Sequence, residues 1–457
     1  MNACAFPNPL ADRPVPRWFD DTKLGIFIHW GLFSVPGWAP LEKYAESRFA
    51  EEYLNSMSIP GSVTARYHAK NYGDVPYEAF VDQFRADVAQ WDPEPWADLF
   101  ERAGAGYVVL TTKIEDSFLM WPSEVPHPHK ENWQVERDLV GELATAVRAR
   151  GMRFGTYFCG LDYTFNDREL PVVERYYPPF MPQSDEWIAY ADARWRELIE
   201  RYEPSILWPD YGYPVNGNWN ELCRWYVERV PDGVVNDRFI PLDWAKADEA
   251  STGFHHDFLT FEFESVHNRG QSYAELNIPD MKWEANREMG KSWGYNRQEG
   301  DADYASTDAL IHELVDVVAR GGNFLLNVGP TSTGEIPFLQ AKRLAGIGSW
   351  LRRHGDAIYG THRWKRPTGA TADGIDVRYT ATDDAVHAIV LGAPKQAAIE
   401  LDVKLADGAQ VSQSSQRVPL PWQATDHGTR IELPTVPDAG EPAIAFRLSP
   451  ADAVGPR

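Results

Sequence analysis

Apolar residues at helical spacing alternate along the chain with short continuous apolar runs, and glycine or proline stands between them. Residues 94–103 form an amphipathic run broken by Gly104 and Gly106, after which residues 107–112 read as a buried strand ending at Lys113. Residues 138–150 predict a helix stopped at Gly151, with a strand over 153–158. Residues 187–202 are helical, Pro204 stops the helix, and residues 205–208 form a strand leading to Asp210. Ser306, Thr307 or Asp308 caps a helix whose apolar face carries Leu310, Leu314, Val317 and Val318, and Gly321 ends it before a strand over 323–328. Residues 24–28 supply an early strand ending at His29. A last helix runs from Pro337, a favourable first-turn position, to His354 before Gly355.

Strands alternating with helices in one long series predict a parallel α/β architecture, a (β/α)8-type (TIM-like) barrel rather than an open sheet. Polar residues at the carboxyl ends of its strands are then the site candidates. After about Trp364 the helical period disappears. Val377, Tyr379, Val386, Ala388, Val390, Ile399, Leu401, Val403, Ile431, Leu433, Ile444, Phe446 and Leu448 alternate with polar residues, which predicts a C-terminal antiparallel β-sandwich. The expected organisation is a catalytic barrel over residues 1–364 and a sandwich over 365–457.

Composition narrows the function. The 43% of hydrophobic residues suffices for a large core, and disorder is excluded. Lysine and arginine total 44 against 67 acidic residues, so a net charge of −23 repels phosphate backbones and anionic membranes, and neither nucleic acid nor membrane is an expected partner. Residues 24–33 are too short a run to span a bilayer. The proline-containing first residues hold no apolar signal core, so a cytoplasmic location is expected. Cys4, Cys159 and Cys223 are too scattered for a disulfide framework or a cysteine-based zinc site and read as reduced thiols, with Cys159 near a site.

Several residues could carry chemistry. Asp210, in LWPD, points into the mouth of a barrel if the strand series is right, followed by the turn Tyr211, Gly212, Tyr213, Pro214. Such a carboxylate serves as nucleophile or base, or equally caps a turn. Glu262 and Glu264 are two apart and share a side of an extended segment; Glu284 is a third candidate, and each alone also fits a surface role. Glycoside hydrolysis needs two carboxyl groups, and a separation of roughly 5 to 5.5 Å supports double displacement. His29 and Arg238 stand near strand ends, His29 being equally a core histidine. His127 with His129, and His255 with His256 and Asp257, are ligand types at metal-like spacing, but both groups fall in loops. Asn327, Gly329 and Pro330 look like a strand-end turn. No phosphate-binding glycine loop or Walker lysine is present, and no cofactor is expected.

At these residues the chain resembles a known family. WFDDTKLGIFIHWG, YVVLTTK followed by DSF, RDLVGELATAVRARGMRFGTYF, ILWPDYGYP, VVNDR, KWE followed by SWGYNRQEG, and GGNFLLNVGPTSTGEIP with GDAIYGTHRW resemble, in order, the α-L-fucosidases of glycoside hydrolase family 29. The resemblance covers about residues 17–364 and implies a barrel followed by a sandwich and a retaining exo-glycosidase that uses no metal. It implies Asp210 as nucleophile and Glu262 as general acid/base, with Glu264 and Glu284 as competitors. His29, Glu51, Tyr157, Arg238 and Trp293 match sugar-contacting positions, and Trp208 stands beside the nucleophile. One departure matters: where the family has K-H-H-D-G-F, this chain has Lys113, Ile114, Glu115, Asp116, Ser117 and Phe118. Ile114 cannot hydrogen-bond, and Glu115, a substrate-binding candidate by position, only accepts when ionised. The leading expectation is hydrolysis of terminal α-L-fucosyl residues. The alternatives are the same mechanism on another 6-deoxy or galacto-configured sugar, or a silent glycan-binding protein. The expected partner is a carbohydrate substrate; homo-oligomerisation is left open.

Overall fold

The computed structural model describes residues 8–42, 47–165, 170–172, 182, 184–214, 217–239, 255–263, 281–414 and 417–457. Its strands β1 (Leu24–Ile28), β2 (Tyr107–Lys113), β3 (Arg153–Cys159), β4 (Ile206–Asp210), β5 (Val234–Val235), β6 (Leu259–Glu262), β7 (Trp283–Arg287) and β8 (Gly322–Val328) form one sheet in the order β5-β4-β3-β2-β1-β8-β7-β6. Every ladder in it is parallel. That order is cyclic, as a repeated strand-helix unit must be when it closes into a barrel.

The continuous apolar runs follow from burial on both faces. Alternate residues serve two cores: Leu24, Ile26, Ile28, Val108 and Leu110 pack outward with the helices. Phe27, Val109, Tyr107, Tyr157, Trp208 and Leu325 fill the interior. Gly25 is required by this filling, because a Cβ there would lie 2.2 Å from the Tyr107 ring.

β5 and β6 share no ladder, and the seam between them is closed by an isolated bridge between Asn236 and Phe258. Asp257 secures it: its amide donates to the Val235 carbonyl (2.8 Å) and its carboxylate accepts from the Val235 amide (2.9 Å) and Arg13 (2.6 Å). Asp257 therefore serves barrel closure.

The helices lie close to their expected bounds, and the caps explain the differences. Helix Leu139–Ala149 starts one residue late because Asp138 is its cap, accepting from the Gly141 amide. Of the three candidates before helix Thr307–Ala319, Ser306 is the cap. Pro337 caps helix Phe338–His354 from outside instead of forming its first turn.

Beyond the barrel come β9 (His362–Ala370), β10 (Asp376–Ala381), β11 (Val386–Val390), β12 (Ala398–Leu401), β13 (Val403–Leu405), β14 (Gln410–Gln413), β15 (Trp422–Thr425), β16 (Gly428–Glu432), β17 (Ile444–Ser449) and β18 (Val454–Pro456). They form antiparallel sheets in the orders β14-β17-β11-β10-β9, β12-β16-β15 and β13-β18. The alternating apolar residues of the sequence face one another across these sheets, with Leu433 at their margin. The sandwich is fastened to the barrel by Trp350 Nε1 donating to the Ala443 carbonyl (2.8 Å), by His312 on the Pro442 carbonyl (2.7 Å) and by the Arg378–Asp316 ion pair. Among the described residues, no helix is long and apolar enough to cross a membrane.

Candidate active site

Asp210 ends β4, beside Cys159 at the end of β3. The chain then turns sharply: Tyr211 (φ 58°) and Gly212 (φ 86°) are both left-handed, a strained conformation for a tyrosine that aims the preceding carboxylate. The turn is pinned by Gly212 and Tyr213, whose amides donate to the carbonyls of Arg238 (2.9 Å) and Phe239 (3.0 Å). Three donors hold the Asp210 carboxylate. Arg238 Nη1 (2.9 Å) and the Tyr211 amide (3.0 Å) donate to Oδ1, and the Tyr157 hydroxyl (2.9 Å) donates to Oδ2. Burial raises its pKa, Arg238 pulls it back, Glu262 pushes it up again, and the net direction is upward from the ordinary value.

Arg238 is the hub. Its Nη1 also contacts Glu262 Oε1 at 2.6 Å, and its Nε donates to Thr260 Oγ1 at 2.7 Å. Asp237 accepts from both the amide and hydroxyl of Thr260, and Asn236 accepts from the Arg238 amide, so the guanidinium is fixed from both sides of the seam. Burial opposes its charge, but the Glu262 and Asp210 carboxylates raise its pKa further, and it stays a cation. Its two Nη1 contacts, 2.9 and 2.6 Å, bound the separation of Asp210 Oδ1 and Glu262 Oε1 at their sum, 5.5 Å.

His29 lies just beyond β1, with Nδ1 at 2.7 Å from Asn327 Oδ1. Asn327 uses its amide nitrogen on the Trp293 carbonyl (2.7 Å), so its oxygen accepts and His29 carries its proton on Nδ1. Burial lowers the His29 pKa to about 4, which leaves a neutral ring with Nε2 as an acceptor. The ring stands 5.2 Å from Trp293 and 5.6 Å from Tyr157, centre to centre. Tyr157 in turn stacks on Trp208, and the Arg238 guanidinium lies 4.9 Å over the Trp208 ring. Glu51 accepts from the Gly294 amide (2.8 Å), beside Trp293.

Glu115 sits in the turn after β2 and is 4% exposed, and its Oε2 has no hydrogen-bond partner among the described residues. Burial, tempered by its own backbone amide and reinforced by Glu51 and Asp210, pushes its pKa up to about 8. Below that pH the group is the neutral acid, which can donate as well as accept. Ile114 is buried among the interior apolar residues, as its side chain requires.

The structure thus gathers Asp210, Glu262, His29, Glu51, Glu115, Tyr157, Trp208, Arg238 and Trp293 at the carboxyl ends of the barrel strands. Glu284 is not at a strand end; it meets this group from within the barrel, through Trp208. That residue is second in β7 and fully buried, and its oxygens accept from Trp208 Nε1 (2.9 Å) and the Tyr107 hydroxyl (2.5 Å). Burial raises its pKa to about 7. A carboxyl without solvent access and enclosed by two donors is no acid/base for a substrate. Glu264 lies outside the described residues. The His127 ring accepts the amides of His129 (3.0 Å) and Lys130 (3.1 Å) on Nδ1 and meets Thr164 at 2.8 Å through Nε2, so it organises a turn. Among the described residues, no group of three or more histidine, cysteine or acidic side chains is placed to hold a metal. Asn327, read from sequence as a turn residue, is a positioning group; its place on a buried strand facing His29 was the available signal. Thr260 and Asp237 carried none.

With this geometry in place, the comparisons with known proteins are direct. The family profile described as alpha-L-fucosidase matches residues 6–356. The chain is 32% identical over 447 residues to tissue alpha-L-fucosidase of Rattus norvegicus, covering 94% of this chain and 88% of that one. It is 32% identical over 453 residues to the Homo sapiens tissue enzyme, covering 95% and 88%. The crystal structure of Thermotoga maritima alpha-fucosidase in complex with fucose superposes with a TM-score of 0.82 at 37% identity, covering 96% of this chain and 98% of that one.

Proposed function

We infer a double displacement at Asp210 and Glu262 from one premise: the chain belongs to the α-L-fucosidases of glycoside hydrolase family 29 and is a glycoside hydrolase acting on α-L-fucosyl residues. Its substrate is a carbohydrate. Asp210 attacks the anomeric carbon and forms a glycosyl ester while Glu262 protonates the departing oxygen. Glu262 then takes a proton from the water that cleaves the ester.

The observation that carries this reading is the shared contact with Arg238. It holds the facing carboxylate oxygens within 5.5 Å, in keeping with the about 5 to 5.5 Å of retaining sites and short of the about 6.5 to 9.5 Å that leaves room for water in inverting ones. The remaining groups fit a sugar. Neutral His29 offers Nε2 to a hydroxyl, and the Tyr157 phenol, whose pKa burial raises well above the ordinary value, stays a donor to the nucleophile. Trp293 provides an apolar face for the C6 methyl, a contact worth up to about 1 kcal/mol.

The test is release of 4-nitrophenol from 4-nitrophenyl α-L-fucoside, with proton NMR of the first sugar formed and Asp210→Asn as control. Wild-type release with α-fucose appearing first supports the assignment. Undiminished release by Asp210→Asn, or β-fucose as first product, would sink it.

A further inference from the structure

Glu115 is a carboxyl at the mouth of the barrel that the double displacement does not use. It follows β2, in a turn closed by the Ser117 amide on the Ile114 carbonyl (2.9 Å), and its own carbonyl accepts from the Tyr163 amide (2.8 Å). The backbone is thus fixed on both sides. The side chain is 4% exposed, and Oε2 has no hydrogen-bond partner among the described residues, although a buried oxygen left unpaired is costly.

The groups facing it come from four elements. Glu51, from the turn Ala50–Glu52, and Asp210, at the end of β4, are carboxyls; Cys159 and Tyr157, from β3, are held neutral by burial. Lys113 is the cation nearest in sequence, but its ammonium is committed to the carbonyls of Cys159 (2.9 Å) and Leu161 (2.7 Å) and to Asp162 (3.4 Å). No hydrogen bond from Lys113 reaches Glu115, and two carboxyls crowd it.

We propose that Glu115 is a specificity-determining residue that meets a hydroxyl of the bound sugar through its buried Oε2, which no described residue partners. Burial, reinforced by Glu51 and Asp210, favours its neutral acid. The inference rests on the fucosidase reading and deepens it. A carboxylic acid presents one donor and one acceptor, the same pair that a neutral imidazole offers, whereas a carboxylate only accepts. Sugar affinity is therefore present below about pH 8 and lost above it, where Glu115 ionises against Glu51 and Asp210. His29, with its pKa near 4, titrates far from this window.

The test is calorimetric binding of L-fucose from pH 6.5 to pH 9.5, beside KM for 4-nitrophenyl α-L-fucoside, in wild type, Glu115→Gln and Glu115→Leu. Wild type is expected to weaken about tenfold across the range. Glu115→Leu should bind about tenfold more weakly at pH 6.5, and Glu115→Gln should recover most of that loss and bind independently of pH. Wild-type affinity in Glu115→Leu, or an alkaline loss persisting in Glu115→Gln, overturns the proposal. If Glu115→Leu does not fold, the pH response of Glu115→Gln decides alone. A wild type that neither binds L-fucose nor cleaves the fucoside at any pH overturns the fucosidase reading, and this inference with it.

Discussion

Two carboxylates in this barrel, Asp210 and Glu284, hang on the same indole and have opposite fates. The Trp208 ring lies under Arg238, which holds Asp210, and its N–H donates to Glu284. Asp210 is the last residue of its strand, at the open end, and the cation beside it favours its charge. Glu284 is the second residue of its strand, sealed in, with two neutral donors. Reactivity here is set by the end of the strand a residue occupies and by the charge of its donors, because burial alone raises both pKa values.

The sharpest break of this comparison is Asp210→Asn, which keeps shape and removes the nucleophile. A fall in kcat of at least about 10³-fold is expected, with partial rescue by azide as a fucosyl azide of inverted configuration. Next is Glu262→Gln. Loss of proton transfer should lower kcat/KM by about 10² to 10⁴-fold on a natural glycoside, and far less on 4-nitrophenyl fucoside, whose leaving group needs little protonation. Equal loss on both substrates would remove Glu262 from the acid role.

Arg238→Met tests the cation itself. Taking the shared cation from these partly buried ion pairs should cost about 1 to 3 kcal/mol of stability, which a denaturant titration reads. Arg238 lowers the Asp210 pKa, so its loss raises that pKa further. The nucleophile must be ionised, and the acid limb of kcat/KM should therefore move to higher pH. An unmoved limb would mean that Arg238 steadies geometry without tuning charge.

The strands were legible because burial on both faces makes them continuous apolar runs, and Asp210 was legible because it ends one of them. The distance from Asp210 to Glu262 was not. It depends on a seam closed by Asp257 and Arg13, and the spacing of Asp257 from His255 suggested a ligand set instead. Glu284 looked equal to Glu262 because local sequence does not show how stagger in a barrel places a residue in depth. The neutral state of Glu115 was hidden for a related reason: it arises from burial, reinforced by Glu51 and Asp210, distant in sequence and adjacent only after folding.

The smallest expected effect on catalysis is that of Glu284→Gln, and it separates the two carboxylates most cleanly. Glutamine accepts from Trp208 through its oxygen and donates to the Tyr107 hydroxyl through its nitrogen, so it reproduces the neutral acid. Turnover should stay within about tenfold of wild type, unlike the loss at Asp210. Stability should respond instead. The folded pKa of about 7 lies above the ordinary 4.5, so the folded state binds this proton more tightly than the unfolded one. The contribution is then full below about pH 4.5 and is lost as pH rises through 7, by up to about 3 kcal/mol. In Glu284→Gln that share of the loss should vanish, making the variant relatively more stable at pH 8 than at pH 4.5. An identical pH dependence of stability in both proteins would show that Glu284 is ionised in the folded barrel, and that its donors, neutral as they are, suffice to hold a charge.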